Sequence, residues 1–229
     1  MPDTEPSINR VLRTAGIDPT TLATTDPDAF TPLGRVRSAV DVTEAKLPAR
    51  YRDAVTDHPD VIAWTREVVT QARAEATRLD RPMPSVSLGP SLMLLGITGV
   101  GKTHQIHGAI RLIAAHGVFP RAILTSAADL YASLRPRHNV DSETEYRRYA
   151  DAGLLVVDDL GAAKHSEWVE EINYRLINHR YDRGAVTVVT SNLEPGPLKD
   201  SLGERVASRL REMCRRVSLK GDDRRRAAA

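Results

Sequence analysis

Gly96-Ile97-Thr98-Gly99-Val100-Gly101-Lys102-Thr103 is the stretch that decides the fold of this chain. It matches the pattern G-x-x-x-x-G-K-[ST] of phosphate-binding loops at every fixed position. Residues 91–95 before it form a short apolar run, which is typical of a buried strand. Residues 104–116 after it carry apolar side chains at the spacing of one helical face, namely Ile106, Ala109, Ile110 and Ile113. Because strand, loop and helix occur together, a chance glycine turn before a helix is the weaker interpretation.

Such a loop binds phosphate with its backbone N–H groups and with the positive end of the helix that follows. The glycines permit backbone angles and a close approach that a side chain would block. We expect Lys102 to reach the β- and γ-phosphates of a nucleotide and the Thr103 hydroxyl to hold Mg²⁺. The nucleotide-binding residues assigned on this basis are Gly96, Thr98, Gly99, Val100, Gly101, Lys102, Thr103 and His104.

A second apolar run ends in two acids. Residues 154–157 are Leu-Leu-Val-Val, and Asp158 and Asp159 follow directly. This predicts a strand buried on both faces, with its acids at the carboxyl end, where open α/β sheets bind ligands. A distance of some ~55 residues from the loop, with a helical crossover between them, fits the Mg²⁺-holding strand of phosphate-loop proteins. We expect Asp158 to hold Mg²⁺ through its coordination shell and Asp159 to orient or deprotonate the attacking water.

A further predicted strand, residues 185–190, ends in Ser191 and Asn192. Polar side chains at the tip of that strand can lie between the γ-phosphate and the acid strand. Asn192 is therefore our candidate for positioning the attacking water. An asparagine that only forms a turn is the alternative.

Composition sets broad limits. A chain of 229 residues predicts one domain with an appendage, and 41% hydrophobic residues support a packed core. No apolar run approaches the ~18 residues of a membrane span, and the polar N-terminus has no signal-peptide core. We therefore expect a cytoplasmic protein with no membrane contact. The single cysteine, Cys214, excludes an internal disulfide and cannot alone build a zinc site. The net charge of +2 does not by itself indicate a nucleic-acid binder.

The sequence predicts three segments. Residues 1–43 are poor in large apolar residues and rich in Thr, Asp and Pro, which indicates a small helical arm for partner docking, with a disordered tail as the alternative. Residues 44–221 form the predicted ATPase domain, and residues 222–229 a basic flexible tail. Basic residues concentrate from Arg205 to Arg226, where a solvated face and a phosphate-facing one both remain open.

Capping residues and periodicity predict the other elements. Asp60 is the expected N-cap of a helix from Val61 to about Leu79, and Ser166 that of a helix to about Tyr181. One helix is expected through Leu198, Leu202, Val206 and Leu210, followed by a fifth strand at residues 215–219. Arg205 and Arg209 lie on one face of that helix because they are four positions apart. The basic loop at residues 135–139 either touches nucleic acid or is a solvated connection.

Four motifs in this order resemble the AAA+ helicase loaders of the DnaC/DnaI type. They are Gly96–Thr103 with His104, Leu154–Gly161, Thr190–Leu193 and Leu202–Leu210. The related transposition helper ATPases of the IstB type are also similar. Leu47–Tyr51 and Leu219–Arg224 resemble further loader segments, so the resemblance spans about residues 44–224.

This resemblance implies an α/β P-loop fold of the AAA+ class, with five parallel strands in the order 5-1-4-3-2 and helices on both faces. It implies that ATP and Mg²⁺ are bound and that Asn192 takes the sensor 1 position. It also implies that the helix with Arg205 and Arg209 supplies an arginine finger to the neighbouring subunit's ATP, with Arg209 the better candidate. Self-association through the ATPase domain follows, because the finger acts in trans. Surface ion pairing of both arginines is the alternative.

Some features depart from the family pattern. Asp159 stands where many AAA+ proteins have Glu, and its shorter reach predicts slow hydrolysis, as in a switch. We expect no full C-terminal helical lid, because the sequence stops soon after the predicted fifth strand. The N-terminal arm lacks the cysteines of the zinc-binding domain in DnaI-type loaders.

The resemblance implies an ATP-dependent loader that binds a hexameric DnaB-type replicative helicase and single-stranded DNA during replication initiation. Low aromatic content favours contacts to phosphates and hence strong salt dependence. One alternative is a transposition helper that binds duplex DNA and recruits a transposase. A small phosphate-loop kinase is another, and the Ser191-Asn192 tip and the arginine helix argue against it.

Overall fold

The computed structural model describes residues 5–25, 30–136, 141–162, 166–193 and 195–223. The chain divides into two compact units. Residues up to Val86 and from Thr103 to Arg121 form the first unit, and Ser87–Lys102 with the residues from Ala122 onward form the second. Within the described ranges no helix is long and apolar enough to cross a membrane.

The first unit is helical. Its helices are α1 (Ser7–Thr14), α2 (Pro19–Thr24), α3 (Pro32–Glu44), α4 (Pro59–Arg78) and α5 (Lys102–Ala115), the last of which begins at the final residue of the second unit's first segment. One apolar cluster joins the N-terminal helices to α5, with Val11, Leu12, Val36, Ala39 and Val40 packed with Leu112 and Ala115. The predicted segment boundaries at residues 43 and 221 stay predictions.

Helix α4 begins earlier than predicted. Asp60 was the expected N-cap, but the cap is His58, whose Nδ1 accepts a hydrogen bond from the backbone N–H of Asp60 at 3.3 Å. The helix starts at Pro59, where the missing N–H costs no hydrogen bond and the fixed φ suits the first turn. Asp60 instead lies in the first turn, where its negative charge suits the helix dipole.

Buried Arg111 ties three segments of the first unit to α5. Its Nε and Nη2 donate to the Glu44 carboxylate at 2.7 and 3.2 Å, and its Nη1 donates to Ala54 O at 2.6 Å and to Ser7 Oγ at 3.1 Å. These bonds compensate the buried charge, which would otherwise be strongly destabilising. The end of α3 and the start of α1 are therefore fixed against α5.

A tight backbone contact lies further back along α5. A Cβ at Gly108 would lie 2.2 Å from Thr56 N and 2.4 Å from Val55 C, so only glycine fits. Gln105 Oε1 accepts hydrogen bonds from the Thr56 hydroxyl and from the backbone N–H of Asp57, at 2.8 and 3.2 Å. The segment of residues 54–58 is thereby held along α5.

The second unit is built on a five-stranded parallel sheet. Its strands are β1 (Ser91–Leu95), β2 (Ala122–Ser126), β3 (Leu154–Asp158), β4 (Val186–Ser191) and β5 (Cys214–Ser218). Their order is β2-β3-β4-β1-β5, and every neighbouring pair is parallel. This confirms the predicted α/β P-loop fold and its strand order.

The central strands of the sheet are more deeply buried than the edge strands. Every residue of β1 and β4 is buried, as are the first four residues of β3, whereas β2 and β5 are only partly covered. The continuous apolar runs in the sequence follow from this, because a parallel strand covered on both faces has no polar side. The polar exceptions in these three strands are the acid that ends β3 and the buried hydroxyl residues Ser91, Thr187, Thr190 and Ser191.

Five helices pack on one face of this sheet. They are α6 (Ala127–Leu134), α7 (Ser142–Ala150), α8 (Glu167–Arg183), α9 (Pro195–Leu202) and α10 (Glu204–Met213). Their apolar side chains form one cluster with strand residues such as Met93, Leu155, Val157 and Val189. The predicted N-cap of α8 is confirmed, because Ser166 Oγ accepts from the backbone N–H of Val169 at 3.3 Å.

The single helix predicted through Leu198 and Leu210 is wrong. It breaks at Gly203, which has a φ of +82° and separates α9 from α10. A Cβ there would lie 2.4 Å from Glu170 Oε1, so a larger residue would also displace the end of that α8 side chain. Leu202, Val206 and Leu210 nevertheless all reach the core, as their spacing predicted.

A buried arginine joins α7, α8 and β4. Arg180 has no exposed surface, and its Nη1 donates to the carbonyl oxygens of Tyr149, Ala150 and Ala152 at 2.9–3.1 Å. Its Nη2 donates to Val186 O at 2.6 Å. Burial lowers the pKa of this guanidinium to about 10. Arg180 therefore satisfies the carbonyl groups at the end of α7, where helical partners are missing.

Candidate nucleotide-binding site

The glycine loop joins β1 to α5 at the carboxyl end of the sheet. Gly96, Gly99 and Gly101 have φ values of +149°, +83° and +103°. A Cβ at Gly96 would lie 2.6 Å from Leu219 O. The loop therefore requires glycine both for its backbone angles and for a close neighbour. This is the geometry that the sequence pattern predicted for a phosphate-binding turn.

Lys102 is the first residue of α5, and its side chain points back into the loop. The residue is only 6% exposed. Its Nζ donates to Gly96 O at 2.7 Å, to Ile97 O at 3.1 Å and to Asn192 Oδ1. A buried ammonium held by three oxygens is fixed in direction, and such a group suits the oxygens of a phosphate chain.

Asn192 connects the loop to the acid strand. Its side-chain amide accepts from Lys102 through Oδ1 and donates through Nδ2 to Asp159 Oδ1 at 3.1 Å. Asn192 lies directly after β4, and Asp159 directly after β3, its neighbour in the sheet. The structure thus brings together three of the residues that the sequence singled out.

Thr190 was named only as part of the Thr190–Leu193 motif and was given no role in the site, yet it links both acids. Its Oγ1 accepts from the backbone N–H of Asp159 at 2.8 Å and donates to Asp158 Oδ1. Asp159 has a φ of +55°, which is uncommon for a residue other than glycine. The bond from its N–H to Thr190 supports that conformation. A threonine two positions before Asn192, at the carboxyl end of a buried strand, was the available signal.

Ser191 fixes the turn that presents Asn192. Its Oγ donates to Leu160 O at 2.7 Å and accepts from the backbone N–H of Leu193 at 3.1 Å. The backbone N–H of Leu160 donates in turn to Thr190 O at 2.8 Å. The ends of β3 and β4 are therefore bonded to each other beyond the last residue of the regular ladder.

The segment after β5 packs against the glycine loop. The backbone N–H of Leu219 donates to Leu95 O at 2.8 Å. A Cβ at Gly99 would lie 1.8 Å from Asp223 Oδ1, so this carboxylate abuts the loop backbone. Gly221 lies against Val100. Residues 219–223, which resembled a loader segment, thus form one wall of the loop.

Thr103 and His104 continue α5 into the first unit. Thr103 follows Lys102 directly, as the motif requires. His104 Nε2 accepts a hydrogen bond from the backbone N–H of Val55 at 3.3 Å. His104 therefore helps to hold the segment of residues 54–58, and its role towards a nucleotide stays a prediction.

Arg205 and Arg209 are not joined to the Lys102, Asn192 and Asp159 group. Both lie on α10 and contact aromatic rings of α8. Their guanidinium carbons are 5.8 and 5.5 Å from the Tyr174 ring, and that of Arg209 is also 5.3 Å from the Tyr181 ring. The Nε of Arg209 is buried without a hydrogen-bond partner among the described residues. Surface ion pairing was the alternative interpretation, and neither arginine forms an ion pair with another described residue. Their role in a neighbouring subunit stays a prediction.

The residues present fit a nucleoside triphosphate. Three glycines of positive φ, a helix that begins at the lysine, and an ammonium aimed into the loop form a cradle for phosphate oxygens. The carboxylate of Asp158 and the hydroxyl of Thr103 are oxygen donors of the kind that Mg²⁺ prefers. In the ranges that the structure describes, no cluster of three or more His, Cys, Asp or Glu offers a metal site made by the protein alone. A magnesium ion would therefore need further oxygen ligands from phosphates and water.

The strand order, the loop and the acids at the end of β3 define an ATP-binding P-loop protein of the AAA+ class. Residues 85–228 match the family of IstB-like ATP-binding proteins. The chain belongs to this family.

Curated relatives carry several kinds of name, helicase loader, ATP-binding protein in an insertion sequence and replication initiator among them. The chain is 26% identical over 125 residues to the replicative helicase loader DnaC of Buchnera aphidicola subsp. Schizaphis graminum, which covers 53% of this chain and 50% of the relative. It is 31% identical over 108 residues to an ATP-binding protein in an insertion sequence of Mycobacterium tuberculosis, which covers 47% and 42%. The chain thus spans about half the length of the curated relatives it matches.

Solved structures share the fold. A crystal structure of the DnaC helicase loader superposes with a TM-score of 0.59 at 23% identity, over 76% of this chain and all of that one. The crystal structure of DnaI gives 0.53 at 17% identity, over 85% and 94%. DnaA from Aquifex aeolicus bound to AMPPCP gives 0.56 at 22% identity, over 79% and 53%.

Proposed function

We propose that this protein is an ATP-dependent helicase loader, which binds a DnaB-type replicative helicase and single-stranded DNA and helps to place the helicase on DNA. The observation that carries its chemistry is the Asn192 amide, which joins Lys102 to Asp159. The DnaC name of several relatives supports the biological role. ATP binding belongs to the family, and hydrolysis is part of this proposal.

Each site residue has a distinct task in this proposal. Lys102 neutralises charge on the β- and γ-phosphates, and Thr103 and Asp158 hold Mg²⁺. Asp159 orients or deprotonates the attacking water, and Asn192 positions that water from the other side. The bound ATP and Mg²⁺ supply the phosphoryl group and its charge neutralisation.

Hydrolysis is slow, because the Asp159 carboxylate has a short reach and also accepts from Asn192. Arg209, with Arg205 as second candidate, completes the pocket of a neighbouring subunit in trans. Activity therefore depends on self-association of the ATPase domain. ATP binding favours assembly and DNA contact, and hydrolysis releases the loader.

Co-purification with the replicative helicase of the same genome, with and without ATP, tests the proposal. We expect a complex whose yield depends on nucleotide, and we expect Lys102→Ala to remove that dependence. Lys102→Arg is the matched control, since it keeps the charge in a different shape. Absence of a complex under every nucleotide condition would end the loader assignment.

A transposition helper is the second candidate function. The family match and the relative from an insertion sequence favour it. Such a protein would bind duplex DNA and recruit a transposase. Preference for duplex over single-stranded DNA in a binding assay, together with capture of a transposase rather than the helicase, would favour this candidate.

A further inference from the structure

A groove lies in the first unit, away from the glycine loop in sequence. It has a volume of about 760 Å³. The beginning of α3, the end of α4, the following turn and the residues after α5 line it. Its floor is apolar and its rim is basic, and we call it the cationic groove.

Aliphatic and proline side chains form the floor. Val36 and Ala76 are buried at its base, and Ile17, Leu33 and Pro84 also line it. The lining residues include no Phe, Tyr or Trp, and His116 is the one histidine among them. Burying the apolar side chains of a partner against such a floor makes the free energy of binding more favourable.

Arginines dominate the rim. Arg35, Arg73 and Arg81 line the cationic groove, against one acid, Asp80. Arg35 Nη1 donates to Phe30 O at 2.7 Å and Arg73 Nη2 to His116 O at 2.6 Å, so both side chains are held in place. Each guanidinium has further N–H groups, which suit carboxylates.

The lowered pKa of His116 is consistent with a positive potential at this rim. Burial lowers the pKa of its imidazole, and the charges of Arg73 and Arg66 lower it further. Its Nε2 is buried and makes no hydrogen bond to the described part of the chain. The groove therefore contains three arginine cations, a neutral histidine and one orphaned polar atom.

Nucleic acid fits this surface poorly. Proteins bind single strands by stacking bases on aromatic rings along a basic channel, and this groove offers no Phe, Tyr or Trp and only the half-buried ring of His116. Phosphates would also leave the apolar floor uncovered. A peptide that carries both carboxylates and apolar side chains satisfies floor and rim together, as in helix-in-groove recognition.

We propose that the cationic groove docks an acidic segment with one apolar face from the partner helicase. The proposal rests on the proposed function for the identity of that partner, and on the groove for its chemistry. The apolar side chains of the segment cover the floor formed by Ile17, Leu33 and Val36. Its carboxylates pair with Arg35, Arg73 and Arg81.

Arg81→Glu tests the charge of the rim. Arg81 is exposed, so its substitution leaves the fold intact. Helicase affinity should fall by about ten-fold or more, because like charges then face each other across the interface. Arg78→Glu is the matched control, since Arg78 is an exposed arginine on α4, paired with Glu75 and outside the lining. This control should change affinity by less than about two-fold.

The outcomes separate the two proposals. If the unaltered protein binds no helicase, the proposed function and the groove assignment both fail. If it binds and Arg81→Glu binds equally well, only the groove assignment fails. Weaker binding of Arg81→Glu to single-stranded DNA, with unchanged helicase affinity, would also overturn the groove assignment.

A photo-crosslinking amino acid at position 77 provides a second measurement. Thr77 lines the groove and is exposed, so a bulky side chain can stand there. We expect crosslinks to an acidic segment of the helicase, identified by mass spectrometry. Crosslinks to DNA, or to a second copy of this chain, would overturn the proposal.

Discussion

Nζ of Lys102 donates a hydrogen bond to Oδ1 of Asn192, 90 positions further along the chain. The same amide donates through Nδ2 to Asp159 at 3.1 Å. The phosphate-binding loop and the acid strand therefore share one side chain. A substitution at position 192 therefore removes a hydrogen-bond partner from both Lys102 and Asp159.

Asn192→Ala should lower the turnover of ATP by about ten-fold or more, because it removes a polar group that positions the reactants. ATP affinity should change much less, since Lys102 keeps its two carbonyl partners in the loop. Steady-state turnover and a nucleotide-binding titration measure the two quantities. Asn178→Ala, on the surface of α8, is the control. A loss of affinity as large as the loss of turnover would contradict this reading.

Thr190→Val should also impair turnover. The substitution keeps the shape of the side chain but removes the hydroxyl that accepts from the Asp159 N–H and donates to Asp158. Leaving buried groups without partners should lower the free energy of unfolding by about 1–3 kcal/mol. Thr190→Ser retains the hydroxyl and should retain most activity. Equal activity of the valine and serine variants would remove Thr190 from the site.

Arg209→Ala should leave ATP binding nearly intact and reduce DNA-stimulated turnover. If its guanidinium acts in a neighbouring subunit, mixing this variant with Asp159→Ala should restore part of the activity. Mixed assemblies then contain pockets with an intact acid and an intact arginine. No recovery in such mixtures would argue against action in trans and leave Arg209 as a side chain packed over Tyr174 and Tyr181.

Arg180→Met should be strongly destabilising. The substitution removes the Arg180 donor from the carbonyl groups of Tyr149, Ala150, Ala152 and Val186, and each buried carbonyl left unpaired costs about 1–3 kcal/mol in the free energy of unfolding. Arg183→Met, on the same helix, removes an exposed ion pair with Asp151 and should cost less than about 1 kcal/mol. Chemical denaturation of both variants measures the difference. Similar values would show that the carbonyl groups find other donors.

The thiol of Cys214 should react slowly in the folded protein. Burial raises its pKa to about 12, so little thiolate exists at pH 8. Alkylation by iodoacetamide should be at least about a hundred-fold slower than in urea, where the pKa is ordinary. The unfolded chain releases this proton first, so the free energy of unfolding should fall as the pH rises above about 8.5. Cys214→Ala should lose that part of the pH dependence.

The sequence predicted the features that depend on local pattern. The loop of residues 96–103, the apolar run ending in Asp158 and the strand order all follow from motifs or from family resemblance. The roles of Thr190 and Gly108 did not follow, because each depends on a neighbour from a distant segment. A threonine in a buried strand and a glycine in a helix have no distinct pattern until Asp159 and Thr56 are beside them.

The predictions of one helix through Gly203 and of the cap at Asp60 were wrong because apolar periodicity does not show where a helix is interrupted or begins. Leu198, Leu202, Val206 and Leu210 keep a helical period, so periodicity alone gives one helix. The interruption lies at Gly203, whose φ of +82° is a backbone angle that other residues rarely adopt. Similarly, His58 and Asp60 are both acceptable caps by type, and the position of Pro59 decides between them. Residues 137–139 of the predicted basic loop and residues 224–229 of the predicted tail lie outside the described part of the chain.

Because residues 219–223 contact the glycine loop, this segment is a suitable attachment site for a fluorescent probe. Lys220 is exposed, and its neighbours touch the backbone of Gly96 and Gly99. A fluorophore attached through Lys220→Cys would label selectively, since the native thiol is protected by its high pKa. Its emission would follow events at the loop in real time, without a modified nucleotide.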